Sequence, residues 1–139
     1  MKTEASTVDR AQRLSTLWIA WFLAMLFHVD LGLMPLFHGQ SVEIHSHLDA
    51  AHLPLLYGSM LGYMLLPLAS LVLLSYSGGR ANRRWQLWFG IVYSVTNLLH
   101  LIADIAIPDR RADQILLMAV LLLIGLAINR EAWLWCRRA

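Results

Sequence analysis

The residues with the most chemical potential in this sequence are its six histidines, His28, His38, His45, His47, His52 and His100. Acidic partners stand close by: Asp30 two residues after His28, Asp49 three before His52, and Asp104 four after His100. Imidazole and carboxylate together suit first-row transition metals such as Zn, Cu or Fe. The spacing His100-x-x-x-Asp104 puts both groups on one face of a helix. Asp49-x-x-His52, with His47 just before it, offers a second pair. No fixed zinc-site spacing is present, so a metal site has to be gathered from separate elements. The expected set is His28, His100 and Asp104 with one or two of His47, Asp49 and His52. Asp30 lies about 200° round a helix from His28 and would act from outside the ligand set, orienting a neighbour. Met25, Met34, Met60 and Met64 offer soft sulfur for Cu(I), although such residues more often fill space. His38 and His45 read as loop surface. Because neutral imidazole is the ligating form, metal binding should weaken as pH falls through ~6.5.

The composition says where such a site would have to sit. Of the 139 residues, 58% are hydrophobic and 14% charged, against roughly 45–50% and about 25% in soluble domains. The polar residues are too few to coat a globule. That excludes a disordered chain, and with one cysteine, Cys136, a disulfide scaffold is excluded too. No P-loop, dinucleotide fingerprint, catalytic triad or channel filter is present. Four apolar runs stand out instead, at about 14–37, 53–76, 85–107 and 115–135. Each suffices to cross a ~30 Å hydrocarbon core. The expected fold is an all-α, single-domain, integral membrane four-helix bundle running up-down-up-down. The opening residues read as a polar tail.

Basic residues orient the spans. Nine of the eleven Lys and Arg fall before span one, between spans two and three, or at the end of the chain. Both termini are therefore expected in the cytoplasm, with the protein in the plasma membrane or another energy-transducing membrane. The lipid bilayer is its expected partner, and no nucleic-acid reading arises. Trp18, Trp85, Trp88, Trp133 and Trp135 lie where an interfacial belt at the cytoplasmic ends would put them.

Depth and helical phase then gather the chemistry. At 1.5 Å per residue, His28 and His100 both lie roughly 20 Å from the cytoplasmic edge. Tyr93, Asn97, His100 and Asp104 share one stripe of span three, with Gln86 on the same line. His52, Ser59, Tyr63 and Ser70 form a stripe on span two, and Trp21, Met25, His28 and Gly32 one on span one. Polar stripes have no place in lipid and should face one another. The expectation is a polar interior open to the outer side and roofed by residues 39–51, with Asp30, Tyr63, Tyr93 and Asn97 around the ligands. Span four is apolar over 116–128 and reads as a lipid-facing wall or a packing partner.

This layout supports three chemistries. The first is a metal ion used in metal handling or membrane redox chemistry. The second is haem b, ligated axially by His28 and His100 with Gly32 making room for the porphyrin. The two nearby aspartates fit a bare ion better than a bis-histidine haem. The third is a metal-free cavity in which His, Asp, Asn and Tyr move protons on an apolar molecule. The stretches Trp21-Phe22…Phe27-His28, Pro67-Leu68-Ala69-Ser70-Leu71 and Tyr93-Ser94-Val95, on four spans, distantly resemble the sterol-isomerase and sigma-2-like EXPERA membrane family. That resemblance implies a cavity that binds or isomerises a lipid- or sterol-like molecule. The acidic residue that family places in its second span is replaced here by the Gly58, Ser59 and Tyr63 region, and the Asn and Trp of its last span are missing. A further reading is an accessory subunit of a larger membrane complex, or a homo-oligomer.

Overall fold

The structure is a computed structural model describing residues 2–42, 50–107 and 111–137, with the side chains of residues 10–42, 51–107 and 111–137. Helix α1 spans Lys2–Leu33 and runs into a 3-10 turn, Met34–His38. A second 3-10 turn, Ala50–His52, leads into α2, Leu53–Tyr76. Helices α3 and α4 span Arg80–Ala106 and Ala112–Cys136. All four are long and apolar enough to cross a membrane. The chain is thus an all-α membrane bundle with up-down-up-down order. The polar opening expected as a tail is part of α1. Nothing in it stops a helix, since it lacks Gly and Pro and is rich in residues of good helix propensity. Helix α3 likewise starts five residues before Trp85, at the Gly79 N-cap. There the buried Asn82 donates to the Leu73 and Ser77 carbonyls and closes the short turn from α2.

Three helices make the core. Leu14, Trp18, Trp21, Met25 and His28 are the buried line of α1, and Gln86, Phe89, Tyr93 and Asn97 that of α3. Met118, Leu121, Gly125, Ile128, Ala132 and Trp135 are the buried line of α4. Each line keeps the spacing of threes and fours that one helix face requires. Span four is therefore a packing partner, wedged against α1 and α3. Its approach to α3 depends on small residues. A Cβ on Gly125 would stand 2.8 Å from Ser94 Oγ, which accepts a hydrogen bond from Asn129 Nδ2 at 2.8 Å. Small residues that let two backbones close are the usual device for helix pairing in lipid. At the end of the bundle holding the termini, Arg10 pairs with the buried Glu131 at 2.7 Å and locks α1 to α4.

Helix α2 sits outside this trio. Its buried residues, Pro67, Ser70 and Leu74, are all in its second half. There Gln86, fully buried, accepts from Trp18 Nε1 at 3.1 Å and Ser70 Oγ at 3.0 Å, and donates to the Ser70 carbonyl at 3.0 Å. In the first half only Tyr63, near its end, is tied to α3 by hydrogen bonds among the described residues, so the expected meeting of three polar stripes is only partly realised. Ser70 and Tyr63 reach the bundle, while His52 and Ser59 stay exposed.

Two prolines show how the membrane interior constrains the backbone. Proline has no N–H, so the carbonyl four residues earlier loses its helical partner. For Pro67 that carbonyl belongs to Tyr63, and the Tyr93 hydroxyl donates to it. For Pro35 it belongs to Leu31, and Arg111 Nη1 donates to it at 2.7 Å. A freed carbonyl in lipid has to be satisfied by another element of the protein. Both prolines thereby tie together helices distant in sequence.

The tryptophan belt is corrected in part. Trp18 and Trp135 are core residues, because they stand on the inward lines of α1 and α4. Trp85, Trp88 and Trp133 are exposed, as belt residues are.

Candidate metal centre

The site begins with two inward lines at the same height. His28 continues the buried line of α1 one turn beyond Met25, and His100 continues the line of α3 one turn beyond Asn97. Their rings meet edge to face, with centroids 5.2 Å apart. His100 Nε2 lies 3.6 Å from Asp104 Oδ1, one helical turn on. Ligand atoms of His28, His100 and Asp104 all lie within 4.8 Å of one another. Donors tetrahedrally placed ~2.1 Å from a zinc ion stand about 3.4 Å apart. Small side-chain rotations therefore separate this arrangement from a coordinating one.

Burial is uneven across the three. His28 is 6% exposed. The side chain of Asp104 is 12% exposed and that of His100 is 48% exposed. His28 Nδ1 and Asp104 Oδ2 are both buried and have no hydrogen-bond partner among the described residues. A buried polar atom without a partner is costly and asks for a reason, an ion among them. Below the cluster, Tyr63 Oη is 3.1 Å from Thr96 Oγ1 and donates to Asn97 Oδ1 at 3.3 Å. Tyr63, Tyr93 and Asn97 thus form a layer under the histidines, engaged mainly with one another. Above it, Arg111 pairs with Asp113 at 2.5 Å, and Gln114 Nε2 reaches the His28 carbonyl at 3.5 Å.

Other candidates fall elsewhere. Asp30 is exposed and takes no part in the cluster, because the turn from His28 carries it off the inward line. His52 is exposed in the 3-10 turn before α2 and is not in the cluster. His45, His47 and Asp49 lie outside the described residues. His38 and Met34 are exposed, and Met25, Met60 and Met64 line a cavity instead of reaching the cluster.

The interior at this level also needs correction. It is an apolar cavity between α1 and α2 of about 850 Å³, in place of the polar chamber expected. Its polar lining is limited to His28, His100, Ser59 and Tyr63. Apolar flanks of both helices face this space. Two contributions were not foreseen: Arg111 as partner of the Leu31 carbonyl, and Gln86 as the hub between α1, α2 and α3. Pro35 inside an apolar run was the available signal for Arg111, since it announces a carbonyl in search of a donor, and the place of Gln86 on the inward stripe of α3 was the signal for its role.

Compared with protein families, curated proteins and solved structures, the chain matches none. The likeness to the sterol-isomerase family therefore remains one of layout and short motifs, and function has to be argued from the site.

Proposed function

We propose that this protein binds a first-row transition metal ion through His28, His100 and Asp104, near the end of the bundle opposite its termini. The observation that carries the reading is the convergence of these three donors from two helices, with His28 and Asp104 each also carrying a buried polar atom that has no hydrogen-bond partner among the described residues. Two imidazoles and one carboxylate suit Zn, Cu or Fe, and three protein ligands leave a position open, as in sites that do chemistry or pass a metal on. Metal handling or a redox step beside the membrane is the role that fits. His47 and Asp49 remain candidates for a fourth ligand.

A bare ion accounts for the geometry better than haem b. The two imidazoles touch, and a porphyrin between them would have to prise α1 from α3. Nor does Gly32 offer a recess for the ring, because Gln114 Nε2 stands 3.0 Å from where its Cβ would be. The aspartate is likewise accounted for by an ion and idle beside a haem.

The test is metal analysis and an absorption spectrum of the detergent-purified protein. A bound metal near one per chain and no Soret band are expected, with the metal lost in His100→Ala and in Asp104→Asn. A Soret band would transfer the site to haem. No retained metal, and no binding when Zn(II), Cu(I) or Fe(II) is added, would end the metal reading.

A further inference from the structure

The cavity beside the cluster has chemistry of its own. Phe22, Leu26 and Val29 of α1 face Met60, Met64 and Leu68 of α2 across it. Eight residues of α1 from Phe22 give it a length of roughly 10 Å, most of one leaflet's hydrocarbon depth. Its 850 Å³ lies within the range of sites that hold small organic ligands. Leu23, Leu26, Met60, Leu65 and Leu68 on its edges are exposed. On a membrane-spanning bundle these edges open sideways into lipid.

The lining contains no Asp, Glu, Lys or Arg. Of its four polar residues, two are already engaged: Ser59 donates to the Leu56 carbonyl, and Tyr63 bonds Thr96 and Asn97. The remaining polar handle is the imidazole pair His28 and His100, between one and two helical turns inside the ends of α1 and α3. A phosphate or carboxylate head brought to that depth would meet no cation among the lining residues and would lose its hydration. An uncharged oxygen would instead accept a hydrogen bond from an imidazole N–H. Phe22 and Tyr63 add aromatic faces and the methionines an adaptable wall, which suits a flat ring.

We propose that this lateral cavity admits, from the bilayer, an uncharged lipid-soluble molecule of the quinone type, with its carbonyl or hydroxyl oxygen at His28 and His100. The proposal goes beyond the metal reading and does not depend on it. A metal held by the same histidines would place the oxygen of that molecule within reach of its open position.

The experiment is calorimetric titration of chelator-treated, detergent-solubilised protein. The probes are a decyl-substituted benzoquinone, hexadecanol, hexadecanoate and hexadecane. Saturable binding of the quinone near one per chain is expected, weakened tenfold or more in Leu26→Trp, which fills the cavity from an exposed position, and in His100→Ala. Hexadecanol competing with it would show that the oxygen head alone is enough. Failure of hexadecanol to compete would assign the selectivity to the ring. Hexadecanoate or hexadecane binding as tightly as the quinone would overturn the proposal, as would a quinone isotherm unchanged by Leu26→Trp or no saturable binding. Metal content is measured on untreated samples of the same preparations, so either reading can fail while the other stands.

Discussion

At the scale of single residues, the proposed site turns on His28, His100 and Asp104, and their unequal burial predicts unequal consequences of substitution. His100 is half-exposed, so His100→Ala should remove a metal donor with a stability loss under about 0.5 kcal/mol, as for other exposed positions. His28 is buried in contact with His100, so His28→Ala should lose both metal and packing, with unfolding at lower temperature. Comparing metal content with thermal unfolding of the two variants checks this pair of outcomes. Metal affinity should also fall on acidification. Protonated imidazole cannot ligate, so each histidine that must release a proton adds up to about tenfold per pH unit, and two histidines about a hundredfold. Competition titrations with a chromophoric chelator across the acid range would measure that slope, and a flat profile would remove the histidines from the ligand set. This trio was legible in the sequence because depth and helical phase can both be counted from residue numbers. Asp30 shows the limit, since sharing a depth with His28 did not give it the same face.

At the scale of elements, the bundle is held by polar contacts that periodicity does not announce. The Tyr93 hydroxyl serves the carbonyl that Pro67 leaves free. Tyr93→Phe should therefore cost about 1–3 kcal/mol, the penalty for a buried acceptor left unsatisfied. Where Pro67 is replaced by Ala, the helix regains its own N–H donor, and the same tyrosine change should cost markedly less. A double-mutant cycle in thermal or denaturant unfolding measures that coupling. Additive effects would mean that the hydroxyl is not serving the proline's carbonyl. A second case lies between α3 and α4. Gly125→Ala ordinarily gains about 1 kcal/mol of helix propensity, but here the new Cβ meets Ser94 Oγ. Net destabilisation is expected, and it should be relieved in the Ser94→Ala background, where the obstructing oxygen is gone. The four helices could be read from apolar length alone, and Gly79 marked one boundary. Which helix would stand apart could not. Helix α2 carries the polar stripe and most of α4 is apolar, yet α4 is the one drawn inside, held by its close approach at Gly125, the Asn129–Ser94 hydrogen bond and the Glu131–Arg10 pair.

At the scale of the whole molecule, the two ends of the bundle differ in chemistry, and orientation decides what each end meets. Arg10 with Glu131, and Arg83 with the Trp135 carbonyl at 3.4 Å, bring the start of α1, the α2–α3 turn and the end of α4 to one end. Those are the segments that carry nine of the eleven basic residues. The histidine cluster lies toward the other end. The fold determines that these groups segregate, but not which compartment either end faces, because no bilayer enters the packing of four helices. The positive-inside rule supplies the direction: Lys and Arg near span ends are retained on the cytoplasmic side. The expected arrangement has the arginine end in the cytoplasm and the proposed metal site near the outer surface, where it would meet ions arriving from outside. Replacing Cys136 by Ala and introducing single cysteines gives a direct test. A cysteine at Val42, exposed at the histidine end, should react with a membrane-impermeant maleimide in intact cells. A cysteine at Gly78, in the α2–α3 turn, should react only after permeabilisation. The reverse pattern would turn the protein over, leaving the cluster and the cavity as described but directing metal exchange to the cytoplasm. Such a result would also mean that the arginines are held by something other than the insertion rule, with anionic lipid at the opposite surface the first candidate.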